Sequence, residues 1–337
     1  MVNFILFLFP LIAFFISLFC LKLWIVKTHQ IGLVWDDMNK IGAKKVAGSG
    51  GIIVVFSFLI GIFLYISYRT FFIQTELELF KILSLSCSIL FLAGIGLIDD
   101  LLGWQRGGLS KTSRILLVII AAIPLTAINV GKSQIALPFF GMIDTGLLYP
   151  LLLVPIGIVG AATTFNFLAG FNGLEAGQGV LLLSGLGLVA YSTGSGWISV
   201  ICFCMVFALL AFLVYNWYPA QVFPGDVLTY SVGGLIAMAA ILGNFEKIAI
   251  FFFIPNMLEV FLKARGGLIK QSFGKPNADG SLDLRYDKLY SLNHIALWIQ
   301  KKVGRRPSEK VAVLLILAFQ LIIILLGLFI FRESVFL

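Results

Sequence analysis

Two adjacent aspartates, Asp99 and Asp100, lie in the motif GIGLIDDLLG at the end of an apolar run. The run predicts a helix, so both carboxylates fall at a helix C-terminus, where the helix dipole disfavours negative charge by about 0.3–1 kcal/mol each. Adjacent helical side chains point about 100° apart, so both can serve one site only if that site wraps the helix end. The alternative is a pair of charges that simply leave the bilayer, but their unfavourable position favours a role in chemistry.

A second motif, NFLAGFNGLEAGQG, spaces Asn166, Asn172 and Glu175 among glycines between two apolar runs. Polar groups at membrane depth are tolerated mainly where irregular backbone lines a cavity, so these side chains indicate a functional site. The alternative is a glycine-rich reversal in which Asn166 caps a loosened turn. In a third motif, FPGDVLTYSVGG, Asp226 begins a predicted helix; it is a favoured N-cap and is also well placed to bind a divalent ion.

Basic residues are abundant near these motifs, and for most of them the preference of cytoplasmic loops for positive charge is sufficient explanation. Those considered for phosphate binding are Lys111, Arg114, Lys263, Arg265, Lys270 and Lys275. Carboxylate and carboxamide oxygens beside such residues suit a site that holds Mg²⁺ on phosphate oxygens. The sequence contains neither a Walker loop nor a thiolate metal motif. We interpret the isolated His29 and His294, and the four cysteines within apolar runs, as structural.

The elements that position these motifs are predicted to be membrane helices. Hydrophobic residues make up 60% of the 337 residues, whereas about 45–50% is usual in soluble domains, so a soluble fold is excluded. Only 12% of residues are charged, yet the net charge is +8, so the basic residues must be concentrated in loops. The N-terminal run has neither a basic segment before it nor a cleavage site, which predicts a retained first helix that starts outside.

Apolar runs of about 20 residues, the length that crosses a bilayer, predict an all-α polytopic membrane protein of about ten transmembrane helices. They lie near residues 3–26, 50–68, 79–98, 113–130, 147–166, 177–193, 199–216, 227–243, 248–264 and 309–331. This count places both termini outside and all three motifs at the cytoplasmic face. It also places most Lys and Arg residues inside, as the positive-inside rule requires. The outside then holds only Arg69, Lys81, Lys132, Lys247 and Arg332.

The whole chain, residues 1–337, is predicted to form a single membrane domain without internal repeats. The long polar stretch 265–308 is predicted to be a cytoplasmic substrate loop, in which NADG at 277–280 indicates a hairpin turn. The segment 131–146 alternates around Gly and Pro and predicts a short hairpin outside.

Four motifs occur in an order that resembles the polyprenyl-phosphate N-acetylhexosamine-1-phosphate transferases, glycosyltransferase family 4. They are DMNK at 37–40, IDD at 98–100, NFLAGFNGLEAGQ at 166–178 and PGD at 224–226, and the resemblance spans essentially the whole chain. NGLEAGQ is similar to the UDP-GlcNAc:dolichyl-phosphate GlcNAc-1-phosphotransferase branch, whereas the bacterial branch usually has an Asp-Gly element there. Because the chain is also short, we expect a protein of an archaeal plasma membrane.

Two departures from the family pattern bear on the substrate. Gly103 stands where many members place a polar residue after the aspartate pair. Only His294 remains of the histidine-rich loop that bacterial members carry before the last span. The first departure leaves the acidic motif incomplete on that side, and the second speaks against the bacterial substrates.

The resemblance implies a set of site residues. The expected catalytic residues are Asp99, Asp100 and Lys111, the last being similar in place to a phosphate-contacting lysine. The expected Mg²⁺ ligands, for which Mn²⁺ is the alternative ion, are Asn166 and Asp226. Asn172 matches a uracil-recognising position, and the full expected set for nucleotide and sugar binding is Asn172, Glu175, Asn39, Lys40, Arg265 and Lys275.

The implied reaction transfers GlcNAc-1-phosphate from UDP-GlcNAc to a polyprenyl phosphate, with dolichyl phosphate expected, and releases UMP. A phosphate monoester is mostly a dianion at neutral pH, so Asp99 and Asp100 are expected mainly to orient groups, with proton abstraction the lesser option. The expected partners are these two substrates and the lipid bilayer, without nucleic acid; a homodimer is compatible with the sequence. The alternatives are a bacterial-type transferase for another UDP-sugar, a lipid or solute transporter, and a membrane scaffold. A transporter would place polar residues at mid-span depth.

Overall fold

The structure is a computed structural model and describes residues 5–42, 44–137 and 141–336. Helices dominate it, as the apolar runs predict. They are α1 (Ile5–Ile31), α2 (Gly51–Tyr68), α3 (Leu79–Arg106), α4 (Lys111–Ala127), α5 (Val154–Phe167), α6 (Leu174–Ser192), α7 (Gly196–Asn216), α8 (Gly225–Gly243), α9 (Glu246–Phe252), α10 (Ile254–Arg265), α11 (Leu292–Lys302), α12 (Glu309–Ile330) and α13 (Arg332–Phe336). A π-helical turn, Arg69–Ile73, extends α2, and another, Tyr149–Leu153, leads into α5.

Three short antiparallel hairpins join some of these helices. They are β1 (Val34–Asp36) with β2 (Lys45–Ala47), β3 (Gln134–Leu137) with β4 (Gly141–Asp144), and β5 (Lys275–Pro276) with β6 (Leu282–Asp283). The last two confirm the hairpins predicted within 131–146 and around NADG, although residues 138–140 lie outside the described residues. Gly280 of NADG has φ +81°, the left-handed conformation that glycine adopts without strain.

Eight of the ten predicted spans are single helices long and apolar enough to cross a membrane, in the part of the chain that the structure describes. The other two predicted spans have a different form. The predicted span 113–130 corresponds to α4, which has only 17 residues. The predicted span 248–264 is broken at Phe253 into α9 and α10, of seven and 12 residues, because Pro255 lies in the first turn of α10 and cannot donate a helical hydrogen bond.

Helix α8 lies at the centre of the bundle, and all its residues from Val227 to Leu242 are buried. Glycines let its neighbours approach closely. A Cβ on Gly96 of α3 would lie 2.5 Å from the main chain of Asp226, and one on Gly233 of α8 would lie 2.6 Å from the Ala161 carbonyl of α5. These contacts bring the C-terminal ends of α3 and α5 to the N-terminus of α8, so the three sequence motifs meet at one end of the bundle.

A smaller apolar core lies under the same end. Leu282 and Leu297, from the polar stretch 265–308, pack with Phe171, Leu174 and Val313. The stretch therefore does not trail away as an open loop. It folds as the β5–β6 hairpin and α11 against the start of α12 and the residues that precede α6.

Candidate active site

A cavity of about 440 Å³ opens at the end of the bundle where α3 ends and α8 begins. Its lining comes mainly from residues 35–39 after α1, the end of α3 with the turn that follows, residues 166–175 between α5 and α6, and residues 223–229 at the start of α8. Ser49, Arg114, Asn216 and Phe273 complete it. The expected residues that line it are Asp99, Asp100, Asn166, Asp226, Asn172, Glu175 and Asn39.

Asp99 holds an arginine in this cavity. Its Oδ1 accepts hydrogen bonds from Leu109 N at 2.8 Å and from Arg114 Nη2 at 3.0 Å, and its Oδ2 lies 2.6 Å from Arg114 Nε. The carboxylate is only 2% exposed, and bidentate pairing with a guanidinium is among the strongest ways to stabilise a buried carboxylate. Arg114 thus offsets the unfavourable position of Asp99 at a helix C-terminus.

Asp100 has a different partner. Its Oδ1 accepts a hydrogen bond of 2.7 Å from Asp226 N, in the first turn of α8, so it caps one helix from the end of another. Gly225 has φ +70°, and a Cβ there would collide with Asp100 Oδ2. That Oδ2 atom is buried and has no hydrogen-bond partner among the described residues. The two adjacent aspartates therefore bind different partners, which is possible because their side chains point roughly 100° apart around the helix.

Asp226 and Asn166 come together as the motifs predict, since Asn166 Nδ2 donates to Asp226 Oδ1 at 3.1 Å. Arg114 Nη1 lies 3.9 Å from the other oxygen, Asp226 Oδ2. Within the described ranges, no three His, Cys, Asp or Glu side chains close up into a metal cluster. The donor set still fits Mg²⁺, which accepts one or two carboxylates and completes its shell with amide, water and phosphate oxygens. The orphaned Asp100 Oδ2 beside this pair is a further oxygen donor.

Arg114 is the main site residue that the sequence reasoning passed over in favour of Lys111. Lys111 is exposed as the first residue of α4, and the described lining of the cavity does not include it. Ser110 caps α4 by accepting from Ser113 N at 3.1 Å, and Arg114, in the next turn, faces Asp99. In the sequence, the three-residue spacing from Lys111 to Arg114 could have indicated Arg114.

Asn172 is held at both its main chain and its side chain. Its Nδ2 donates to Asp37 Oδ2 at 3.1 Å, and its backbone N–H donates to Glu309 Oε1 at 2.6 Å. Lys40 Nζ pairs with Asp37 and lies 4.7 Å from the centroid of the Tyr218 ring. Lys40 therefore supports this wall of the cavity from behind and is not among the residues that line it.

Asn39 and Glu175 fix the turn that carries Asn172. Asn39 Nδ2 donates to Gly170 O at 2.7 Å, and Asn39 Oδ1 accepts from Gly274 N at 3.1 Å. Glu175 Oε1 accepts from Gly170 N at 3.0 Å. Asn39 thus connects the residues after α1 to those before α6 and to the polar stretch 265–308.

Arg265 and Lys275 do not reach the cavity, contrary to expectation. Arg265 is exposed at the end of α10 and lies over the Tyr290 ring, 5.7 Å from its centroid, and Lys275 is exposed on β5. Phe273 reaches the cavity in their place, with its ring against Gly170, where a Cβ would lie 3.0 Å from it. The short β5–β6 hairpin turns the Lys275 side chain outward, which composition alone does not reveal.

The other residues that sequence reasoning missed are buried polar side chains around this site. Asp37 belongs to the DMNK motif, from which only Asn39 and Lys40 were chosen, so the motif itself was a usable signal. Tyr230 donates to Asp99 Oδ2 at 3.5 Å, and Asn216 Oδ1 accepts from Gly173 N at 3.1 Å. These residues lie inside apolar helices and carry no local signal.

A second cavity, of about 390 Å³, is an apolar groove between α5, α8 and the α9–α10 pair. It begins at Tyr149, whose hydroxyl donates to Glu246, and extends to Thr164, two residues before Asn166. Small residues such as Gly157 and Ala161 form one wall, and Phe253, at the break between α9 and α10, forms part of another. Helix α5 therefore contributes to both spaces, with Thr164 in the groove and Asn166 in the polar cavity.

Comparison with known proteins agrees with the motif resemblance. The family description "Glycosyl transferase family 4" matches residues 82–244, the part of the chain that contains Asp99, Arg114, Asn166 and Asp226. A Saccharolobus solfataricus protein, provisionally named a UDP-N-acetylglucosamine–dolichyl-phosphate N-acetylglucosaminephosphotransferase, is 32% identical over 309 residues, which cover 90% of each chain.

Two further relatives widen the comparison. The Dictyostelium discoideum UDP-N-acetylglucosamine–dolichyl-phosphate N-acetylglucosaminephosphotransferase is 28% identical over 68% of this chain and 64% of its own. The phospho-N-acetylmuramoyl-pentapeptide-transferase of a Wolbachia species is 31% identical over 66% of this chain and 68% of its own. With 32% identity to the first relative over nine-tenths of both chains, the protein belongs to glycosyl transferase family 4.

Proposed function

We propose that the protein transfers N-acetylglucosamine 1-phosphate from UDP-GlcNAc to dolichyl phosphate and releases UMP. The observation that carries the proposal is that one helix, α5, lines two unlike spaces, since Thr164 lines the apolar groove and Asn166 lines the polar cavity. A nucleotide sugar suits the polar cavity, and a polyprenyl phosphate needs an apolar path that ends at a polar site. The names of two relatives supply the sugar and the lipid.

In this proposal Arg114 binds phosphate oxygens, and Asp99 keeps its guanidinium in place. The bidentate pair fixes the plane of the guanidinium, and Nη1, 3.9 Å from Asp226 Oδ2, lies on the side of the cavity where Asp226 and Asn166 meet. A positioned cation at this point stabilises the negative charge that develops on the leaving phosphate of UMP. We assign Asp100 to hold the α8 N-terminus, and with it Asp226, in register.

The chemistry is a phosphoryl transfer. An oxygen of the dolichyl phosphate forms a bond to the sugar-linked phosphorus of UDP-GlcNAc, and the bond from that phosphorus to the UMP oxygen breaks. The acceptor dianion needs no deprotonation at neutral pH, so the site has only to orient the two phosphates and neutralise their charge. Asn166 and Asp226 are the residues that would hold Mg²⁺, which supplies charge neutralisation of the pyrophosphate when bound.

The orientation in the membrane is part of the proposal. We infer that the polar cavity faces the cytoplasm of an archaeal plasma membrane and that both termini lie outside. The supporting observation is the concentration of Lys and Arg residues in the segments at the cavity end of the bundle. A soluble nucleotide sugar would then meet its lipid acceptor from the cytoplasmic side.

A donor panel tests the function. The purified full-length chain, with Mg²⁺ and dolichyl phosphate, is assayed for UMP release from UDP-GlcNAc, UDP-GalNAc and UDP-N-acetylmuramoyl-pentapeptide. We expect UMP release with UDP-GlcNAc at the highest kcat/KM, and loss of activity with EDTA. Preference for another donor would support the bacterial-type alternative, and no UMP from any donor would overturn the transferase assignment.

A further inference from the structure

The turn between α5 and α6, residues 168–173, is held by side chains from three helices. Its Gly170, Asn172 and Gly173 amides donate to Glu175 Oε1 of α6, Glu309 Oε1 of α12 and Asn216 Oδ1 of α7, at 3.0, 2.6 and 3.1 Å. Glu309 is the most distant of these partners in sequence. It lies 137 residues after Asn172, outside all four sequence motifs.

Glu309 is buried in a way that capping α12 does not require. It is the first residue of α12, where the helix dipole favours an acid, yet such an acid is satisfied when it faces water. Here the side chain is only 3% exposed, and its Oε2 has no hydrogen-bond partner in the described chain. Burial of a carboxylate is costly unless it is paired, so contacts beyond the helix end must stabilise Glu309 in this place.

Those contacts form a closed network with Asn172. Lys40 Nζ lies 3.9 Å from Glu309 Oε2 and pairs directly with Asp37, whose Oδ2 accepts from Asn172 Nδ2 at 3.1 Å. The main chain of Asn172 is thus fixed by Glu309, its side chain by Asp37, and Lys40 joins the two carboxylates. Lys40 itself is held over the Tyr218 ring.

The network determines which atom of Asn172 can meet a ligand. Because Nδ2 donates to Asp37, the carbonyl oxygen Oδ1 is left to act as an acceptor in the cavity that Asn172 lines. An acceptor fixed in this orientation suits a base that presents an imide N–H, as uracil does. A free carboxamide could rotate to present its NH₂ group and accept other bases.

We propose that Glu309 is a positioning residue for nucleotide recognition, acting through Asn172. The inference rests on the proposed function, since it takes the bound nucleotide to be a uridine nucleotide. Glu309 does not line the cavity and does not touch the ligand. It fixes the backbone of Asn172 and, through Lys40, the Asp37 carboxylate that orients the Asn172 carboxamide.

The test uses the full-length protein in nanodiscs, with KM for UDP-GlcNAc and the inhibition constants of UMP and CMP as readouts. Glu309→Ala removes the acceptor and the charge, whereas Glu309→Gln keeps an acceptor for the Asn172 amide. We expect Glu309→Ala to raise KM on the order of tenfold, the loss of one charge-assisted hydrogen bond, with a smaller change in kcat. Glu309→Gln should recover part of this loss, and the preference for UMP over CMP should fall in both variants.

Gln320→Ala is the matched control. Gln320 is also fully buried on α12 and donates to Phe252 O at 2.8 Å, so its removal disturbs the packing of the same helix without touching residues 168–173. We expect Gln320→Ala to lower thermal stability while KM and the preference for UMP stay at wild-type values. If it raised KM as much as Glu309→Ala does, the effect would be one of helix packing and the inference would be wrong.

A double-mutant cycle isolates the route through Asn172. If Glu309 acts through that residue, Glu309→Gln should change UMP affinity in the wild-type background but hardly at all in the Asn172→Ala background. Equal effects in both backgrounds would overturn the inference. Failure of the proposed function has a separate signature, since the wild-type protein would then not release UMP from UDP-GlcNAc.

Discussion

The two cavities are close in volume, about 440 and 390 Å³, but they are built in opposite ways. The polar cavity is lined by residues from many separate parts of the chain, and hydrogen bonds between those parts fix its walls. The apolar groove lies between α5, α8 and the α9–α10 pair, and it is open because several of its lining residues have small side chains. Its polar pair, Tyr149 and Glu246, lies at one end. The polar cavity therefore depends on precise placement of individual groups, whereas the groove depends on open volume. Substitutions should therefore affect the two spaces differently.

The largest effect is expected at Asp99. Asp99→Ala removes the main partner of Arg114 and leaves a partly buried guanidinium with only its 3.9 Å contact to Asp226, so kcat/KM should fall on the order of 100- to 1000-fold. The measurement is steady-state UMP release from UDP-GlcNAc across pH 6 to 9. Activity near the wild-type value across that range would contradict the role given to this pair.

Arg114 and Lys111 provide the sharper test of which basic residue serves the polar cavity. Arg114→Lys keeps the charge but loses the bidentate geometry, so kcat should fall about tenfold or more, whereas Lys111→Ala should stay within about twofold of wild type. Both variants are assayed at saturating substrates, and Lys111→Ala serves as the control for charge loss on the same helix. A larger loss with Lys111→Ala would restore the original sequence prediction.

A bulky residue in the groove should affect only the lipid substrate. Ala161→Phe fills part of the space between α5 and α8, so KM for dolichyl phosphate should rise about tenfold while KM for UDP-GlcNAc stays unchanged. Ile156→Phe is the matched control, because Ile156 lies on the same helix, is 56% exposed and does not line the groove. Equal changes in both KM values with Ala161→Phe would show that the two spaces are not separate.

The smallest effect concerns pH and His294, which lies outside the membrane-spanning segments on α11. Burial lowers the pKa of its imidazole below the usual range. The unfolded chain then binds more protons than the folded protein near pH 6, so stability falls as pH drops through the unfolded value of about 6.5. His294→Gln should lose less thermal stability than wild type between pH 7 and pH 5. An identical pH dependence in the two proteins would contradict a buried neutral His294.

The sequence predicts the polar cavity better than the groove, because the cavity is built from individual polar side chains and the groove from small apolar ones. Asp99, Asn166 and Asp226 stand beside glycines in short motifs, so their local signal is strong, and their meeting follows from the shared direction of the span ends. The groove leaves almost no signal, since Gly157 and Ala161 resemble any small helical residues and only Pro255 indicates the break at Phe253.

Within the polar cavity, the errors concern residues whose role depends on rotation or on distant contacts. The choice between Lys111 and Arg114 depends on how α4 is rotated against α3, which tertiary packing sets and the local sequence does not show. Arg265 and Lys275 were expected at the site because they are basic, yet Phe273 reaches it from the same stretch. Glu309 follows 137 residues after the amide it holds, and no local pattern indicates such a contact.

If the polar cavity and the apolar groove serve one transfer reaction, UMP release must be coupled to the lipid. The most direct measurement is UMP release from UDP-GlcNAc by the purified protein with and without dolichyl phosphate, together with mass spectrometry of the lipid. We expect UMP release that depends on the lipid and an equal amount of GlcNAc-diphosphate-dolichol. UMP release that is independent of the lipid, or no lipid-linked product, would contradict it.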